Sequence, residues 1–99
     1  MSFDIRVGRV RRDRGFIVAR PSPLGNPFKI GIDGDRAQVI GKYRIWFKTA
    51  LRDDERVRSV VEKITVEASR GDITLLCHCA PEACHAEVIA DEVRRRVNE

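Results

Sequence analysis

Apolar residues first alternate with polar ones and later recur at three- and four-residue steps. Phe3, Ile5 and Val7 are separated by single polar residues, the period of a half-buried strand. The phase slips at Gly8-Arg9, which predicts a bulge before Val10. Asp13-Arg14-Gly15 reads as a turn, and Phe16-Ile17-Val18-Ala19 as a second short strand. The two segments together predict an antiparallel hairpin. Pro21, Pro23, Gly25 and Pro27 then forbid regular structure from Arg20 to about Phe28.

Helical periodicity begins after this loop. Asp33 or Asp35 can cap a helix starting near Arg36. Its stripe is Val39, Ile40, Tyr43, Trp46, Phe47, Ala50 and Leu51. Asp53-Asp54-Glu55 supplies a second cap, followed by the stripe Val57, Val60, Val61, Ile64 and Ala68, which ends at Arg70-Gly71-Asp72. Ile73 to Cys77 is an apolar run of strand length, interrupted by Thr74 alone, as expected of a central buried strand. Ala86, Ile89, Val93 and Val97 mark a last helix from about Cys84, with acids early and Arg94-Arg95-Arg96 late, as the helix dipole favours. The predicted order is β-β-α-α-β-α: one α/β domain over residues 1–99, a small three-stranded sheet covered by helices.

Size agrees with this order, since 99 residues make one domain with a modest core. No apolar run approaches the roughly 20 residues of a membrane span, and Met1 to Arg6 lack the apolar core of a signal peptide. A cytoplasmic protein with no membrane partner is expected. The net charge of +4 is unevenly placed. Residues 1–50 hold eleven Lys/Arg against four Asp/Glu, whereas residues 51–99 hold eight against eleven. Arg6, Arg9, Arg11, Arg12 and Arg14 crowd the predicted hairpin. They suit an anionic partner, or they keep an edge hairpin soluble and unpaired.

The reactive side chains are concentrated in one place. All three cysteines and both histidines lie between Cys77 and His85, where a strand gives way to a loop and a helix start. Open α/β sheets bind ligands at such strand ends. Three cysteines so closely spaced, in a reducing compartment, point to thiol or metal chemistry rather than to a disulfide scaffold. On a strand, Cys77 and Cys79 share a face with His78 opposite, while Cys84 and His85 fall at the first turn of the helix. There the unpaired amides favour a bound anion and a thiolate.

Three chemistries fit the cluster. In a ligand or active site, Cys84 is the thiolate and His85 or His78 its acid–base partner. In a metal site, Cys77, Cys79, Cys84 and His85 hold zinc, although the spacing is not a common zinc pattern. In a purely structural arrangement, Cys77 and Cys79 are small buried hydrophobes and His85 is a hydrogen-bonded core residue. No metal is assigned and no cofactor is identified. The loop Arg20-Pro-Ser-Pro-Leu-Gly-Asn-Pro-Phe28 is the natural second wall of a pocket. Arg20 offers a fork for phosphate or carboxylate, Ser22 and Asn26 are neutral donors, and Gly25 permits close backbone approach to a ligand. Phe28 is expected in the core.

Arg20-Pro-Ser-Pro-Leu-Gly-Asn-Pro-Phe28 and Cys77-His-Cys-Ala-Pro-Glu-Ala-Cys-His85 resemble the paired motifs of a family of uncharacterised bacterial and phage domains. The resemblance spans roughly residues 5–95. It implies a Rossmann-like α/β domain in which Arg20, Asn26, Cys77, Cys79, Cys84 and His85 line one site, and it supplies no activity. A more distant likeness is to a family ending in Leu-Leu-Cys…Cys-His-Arg. Ala86 stands where that family has arginine, so an anion-binding role at that position does not carry over.

The function expected from these features is binding of a nucleotide-like or other anionic ligand at the Cys/His cluster. In its fuller form this includes thiol-dependent catalysis with Cys84 and His85, and binding through Arg20, Ser22, Gly25, Asn26, Cys77 and Cys79. Two alternatives stand beside it. One is a non-enzymatic phage accessory protein that binds a host protein or nucleic acid through the basic hairpin. The other is a zinc-stabilised interaction module.

Overall fold

The computed structural model describes residues 4–78 and 84–99. Phe3 and Cys79, both named above, lie outside the described residues. The elements are β1 (Ile5–Arg9), β2 (Phe16–Ile17), α1 (Arg36–Asp53), α2 (Glu55–Ala68), β3 (Ile73–Cys77) and α3 (Ala86–Val97), in the order read from the hydrophobic pattern. Asp35 caps α1 with a reciprocal box: its carboxylate accepts from the Gln38 amide at 2.8 Å, and the Gln38 side chain accepts from the Asp35 amide at 2.9 Å. Asp54 closes α1 through its own amide, which donates to the Ala50 carbonyl, and opens α2 through its carboxylate, which accepts from the Arg56 amide.

The predicted hairpin does not form. β1 and β2 do not pair with each other; each pairs with β3, and both pairings are parallel, in the order β1-β3-β2. Ile5 faces Ile73 and Arg9 faces Cys77 on one side of β3, while Phe16 faces Leu75 on the other. Val10 to Gly15 is therefore not a hairpin turn but a strap that crosses β3. The strap lies flat on the strand: a Cβ at Gly15 would stand 2.1 Å from the Thr74 carbonyl oxygen, and one at Gly8 2.8 Å from the Thr74 methyl.

The alternation along β3 separates the two faces of the sheet. Ile73, Leu75 and Cys77 enter the core with Tyr43 and Phe47 of α1, Val57, Val61 and Ile64 of α2, and Val88, Ile89 and Val93 of α3. Thr74 lies on the opposite face, beneath the strap. Each fully buried aliphatic side chain contributes roughly 1.5–3 kcal/mol, so β3, the most buried strand, anchors the fold. Arg94 ties α3 to the sheet by donating to the Ile5 carbonyl at 2.6 Å. Among the described residues, no helix is long and apolar enough to cross a membrane.

Candidate functional site

Because all three strands run the same way, their carboxyl ends lie on one side of the molecule. The chain leaves β2 through Val18-Ala19-Arg20 and β3 through Cys77-His78. Between these exits is a cleft of about 250 Å³. Arg20, Asn26 and Lys29 supply its polar wall, with His78 and His85; Ala19, Phe28, Ile30, Val39 and Cys77 supply the apolar one. It holds two cationic side chains and two imidazoles, and among the described residues no carboxylate lines it.

His85 is the best-defined polar group of this cleft. It is 7% exposed, and Nε2 lies 2.7 Å from the Val18 carbonyl oxygen. A carbonyl can only accept, so Nε2 carries the proton and donates. Burial, with the Arg20 charge adding to it, holds the His85 pKa below the ordinary imidazole range, against the opposing effect of the Val18 bond. The ring is therefore neutral at pH 7, and Nδ1 carries a lone pair. Among the described residues Nδ1 has no hydrogen-bond partner, and it is not sealed from solvent. The Tyr43 ring meets the imidazole edge-on at 4.9 Å between centroids, which fixes its plane.

The Arg20 to Phe28 loop is held by its own backbone and by Tyr43. The Ser22 and Gly25 amides donate to the Ala19 and Ser22 carbonyls. Ser22 Oγ accepts from the Leu24 amide at 3.2 Å, and Asn26 Oδ1 from the Phe28 amide at 2.9 Å. The Tyr43 hydroxyl donates to the Leu24 carbonyl at 2.7 Å, both side chains being fully buried. Burial, and the proximity of Cys84, push the Tyr43 hydroxyl well above the usual tyrosine range, so it stays a donor. The Arg20–Pro21 peptide is cis.

Three expectations change here. Gly25 is needed for close approach, but to this chain's own backbone: a Cβ there would stand 2.8 Å from the Arg20 amide nitrogen. Ser22 fastens the loop and is not on the cleft wall. Phe28 is half-buried and lines the cleft instead of filling the core. Arg20 is exposed, and among the described residues its guanidinium makes no ion pair or hydrogen bond, so it is available to a ligand.

Cys77 lies on the cleft floor, and Cys84 sits behind it, 4% exposed, with the two sulfurs 2.7 Å apart. Neither is in a disulfide. Among the described residues no three ligating side chains converge. Helix α3 begins at Ala86 with His85 as its N-cap, and no side chain caps it. The Glu87 and Val88 amides donate to the Cys84 and His85 carbonyls, so two of the amides that a helix start normally offers to an anion are already used.

Lys29, Ile30, Val39 and Phe28 are cleft residues that sequence reasoning did not assign to the site. Lys29 follows the Leu-Gly-Asn-Pro-Phe run directly and was the one with a usable signal. It is oriented by a turn in which its amide donates to Asp33 Oδ2 at 2.8 Å and its carbonyl accepts from the Asp33 amide.

Residues 4–95 match the model of one family, described as Domain of unknown function (DUF4326). No curated protein and no solved structure matches the chain.

Proposed function

We propose, given that the chain belongs to the DUF4326 family, that its cleft binds a small anionic ligand of nucleotide or sugar-phosphate type. The observation that carries this reading is the charge composition of the cleft: Arg20 and Lys29 with two imidazoles and, among the described residues, no lining carboxylate, at the carboxyl ends of parallel strands. Arg20 takes the phosphate or carboxylate with its guanidinium fork, and Lys29 adds a second positive charge. Phe28, Val39 and Ile30 form an apolar wall for a ring. The volume of about 250 Å³ is just under the usual range for small-molecule sites, which favours a mononucleotide or something smaller.

His85 gives the site directional chemistry. With its proton on Nε2 and committed to Val18, Nδ1 accepts a hydrogen bond from a ligand hydroxyl or takes its proton as a general base. Catalysis, if the bound ligand is also a substrate, uses His85 in this role. The thiol nearest to the ligand is then Cys77, with Cys84 behind it. Composition and the motif resemblance support a cytoplasmic location and a phage origin.

The test is isothermal titration with nucleoside monophosphates and pentose phosphates against wild type and Arg20→Ala. Loss of a charge-assisted contact lowers affinity by about 10- to 100-fold. If a phosphate compound binds wild type and Arg20→Ala equally well, the cleft is not held by Arg20 and the proposal fails.

A further inference from the structure

None of the five arginines near the N-terminus lines the cleft. β1 and β2 lie on either side of β3, about 10 Å apart at ordinary strand spacing, and the chain spans them between Arg9 and Phe16. So short a crossing has no room for the helix that usually covers a parallel pair. The second face of the sheet therefore carries, in place of a helical layer, a polar strap whose residues Arg11, Arg12, Asp13 and Arg14 are exposed.

The strap and the strand beneath it enclose an open depression lined by Arg6, Arg12, Asp13, Arg14, Gly8 and Thr74, with Val7. The acids around it are largely committed. Asp13 accepts from the Arg9 amide at 2.9 Å and from Arg12 Nε at 3.3 Å. Asp4 and Asp72 flank Arg6 at 3.1 and 3.9 Å. Among the described residues, Arg9, Arg11 and Arg14 are in no ion pair. The surface is thus positive, open and polar. The β1–β3–β2 register places Arg6, Gly8, Thr74, Leu76 and Ile17 on this face, with no aromatic side chain among them.

We infer that this face binds the phosphate backbone of duplex nucleic acid, independently of the cleft. Guanidinium groups without aromatic neighbours hold phosphates but do not stack on bases. The complex is therefore electrostatic and sequence-independent, with Arg11, Arg12 and Arg14 making phosphate contacts and Arg6 and Arg9 at the margin. An apolar protein partner is disfavoured, because Ile17, at the far edge, is the exposed large hydrophobic residue that the register puts on this face.

The experiment is a fluorescence-anisotropy titration of a labelled, mixed-sequence DNA duplex at several salt concentrations. Wild type is compared with Arg11→Gln/Arg12→Gln/Arg14→Gln and with a charge-matched control, Arg44→Gln/Lys48→Gln/Lys63→Gln, on the helical side. Three phosphate contacts make a four-fold rise in salt weaken binding by about 40-fold, and the strap variant removes that dependence. The control retains it. Thermal unfolding of each variant checks that the fold is intact. The inference is overturned if duplex DNA does not bind at low salt or if the control loses as much affinity as the strap variant. It is overturned equally if polyglutamate displaces the protein as effectively as unlabelled duplex at equal charge. Arg20→Ala leaves duplex binding unchanged; if it abolishes binding, the cleft and not the strap holds the nucleic acid, and the strap assignment falls while the cleft stands.

Discussion

Replacing Tyr43 with phenylalanine isolates the single hydrogen bond that fastens the cleft loop to the helical layer. The ring is kept, so its stacking on Phe47 at 5.5 Å and its edge contact with His85 at 4.9 Å survive. Only the hydroxyl is lost, and with it the 2.7 Å bond to the Leu24 carbonyl. Both residues are fully buried, so the carbonyl gains no easy access to water. The net bond is worth about 0.5–1.5 kcal/mol, and stranding a buried acceptor costs about 1–3 kcal/mol. Allowing for partial relaxation of the loop, the expected loss is about 2 kcal/mol. For a chain of this length each kcal/mol moves Tm by about 5 °C, so Tyr43→Phe melts about 10 °C lower. Differential scanning calorimetry of both proteins in the same buffer measures this directly. A shift under about 2 °C shows that the Leu24 carbonyl is satisfied another way and that the loop is not sealed at this point, which refutes the assignment.

Three further outcomes are expected. Gly15→Ala drives a methyl group into the Thr74 backbone and costs about 3 kcal/mol in urea denaturation; an unchanged midpoint shows that the strap lifts freely from β3. Because the folded His85 pKa is depressed, its contribution to stability is complete above the unfolded imidazole value of about 6.5 and declines as pH falls toward the folded value. Wild type therefore loses stability between pH 7 and 5 more steeply than His85→Gln, and parallel stability–pH curves exclude the depressed imidazole. Asp54→Ala removes the α2 cap and costs about 1 kcal/mol, while Asp54→Asn retains most of the stability; equal losses from the two indicate that charge, not capping, is what matters there.

The legible parts of the sequence were those governed by local chemistry. Asp35 and Asp54 mark helix starts because a carboxylate can reach an amide two or three residues on, whatever the rest of the chain does. Ile73 to Cys77 reads as the central strand because four of its five residues are apolar, with Leu76 on the face opposite the core. The β1–β2 relation was misread for the opposite reason. Asp13-Arg14-Gly15 has the composition of a hairpin turn, and the strand that separates β1 from β2 enters more than fifty residues later. Gly8 and Gly15 were informative only once Thr74 was known to lie against them, as Gly25 was once its neighbour proved to be Arg20. A cleft lies at the end of β3, with Arg20, Asn26, Cys77 and His85 on its wall. Val39 and Ile30 reach it through the placement of α1 and the Lys29 turn, which no short motif records.

The position of β3 governs the time course of folding. Asp4 and Asp72, joined by a hydrogen bond at the foot of the sheet, are 68 residues apart. Each strand pairing in the described sheet passes through β3, so the first half of the chain leaves a ribosome with two strands and no partner for either. Helices α1 and α2 form from local contacts, but the sheet waits for residues 73–77 and closes over long loops, the situation that slows folding. Nascent chains halted before Ile73 hold helices without a sheet, and β1 and β2 remain unpaired until residues 73–77 are made.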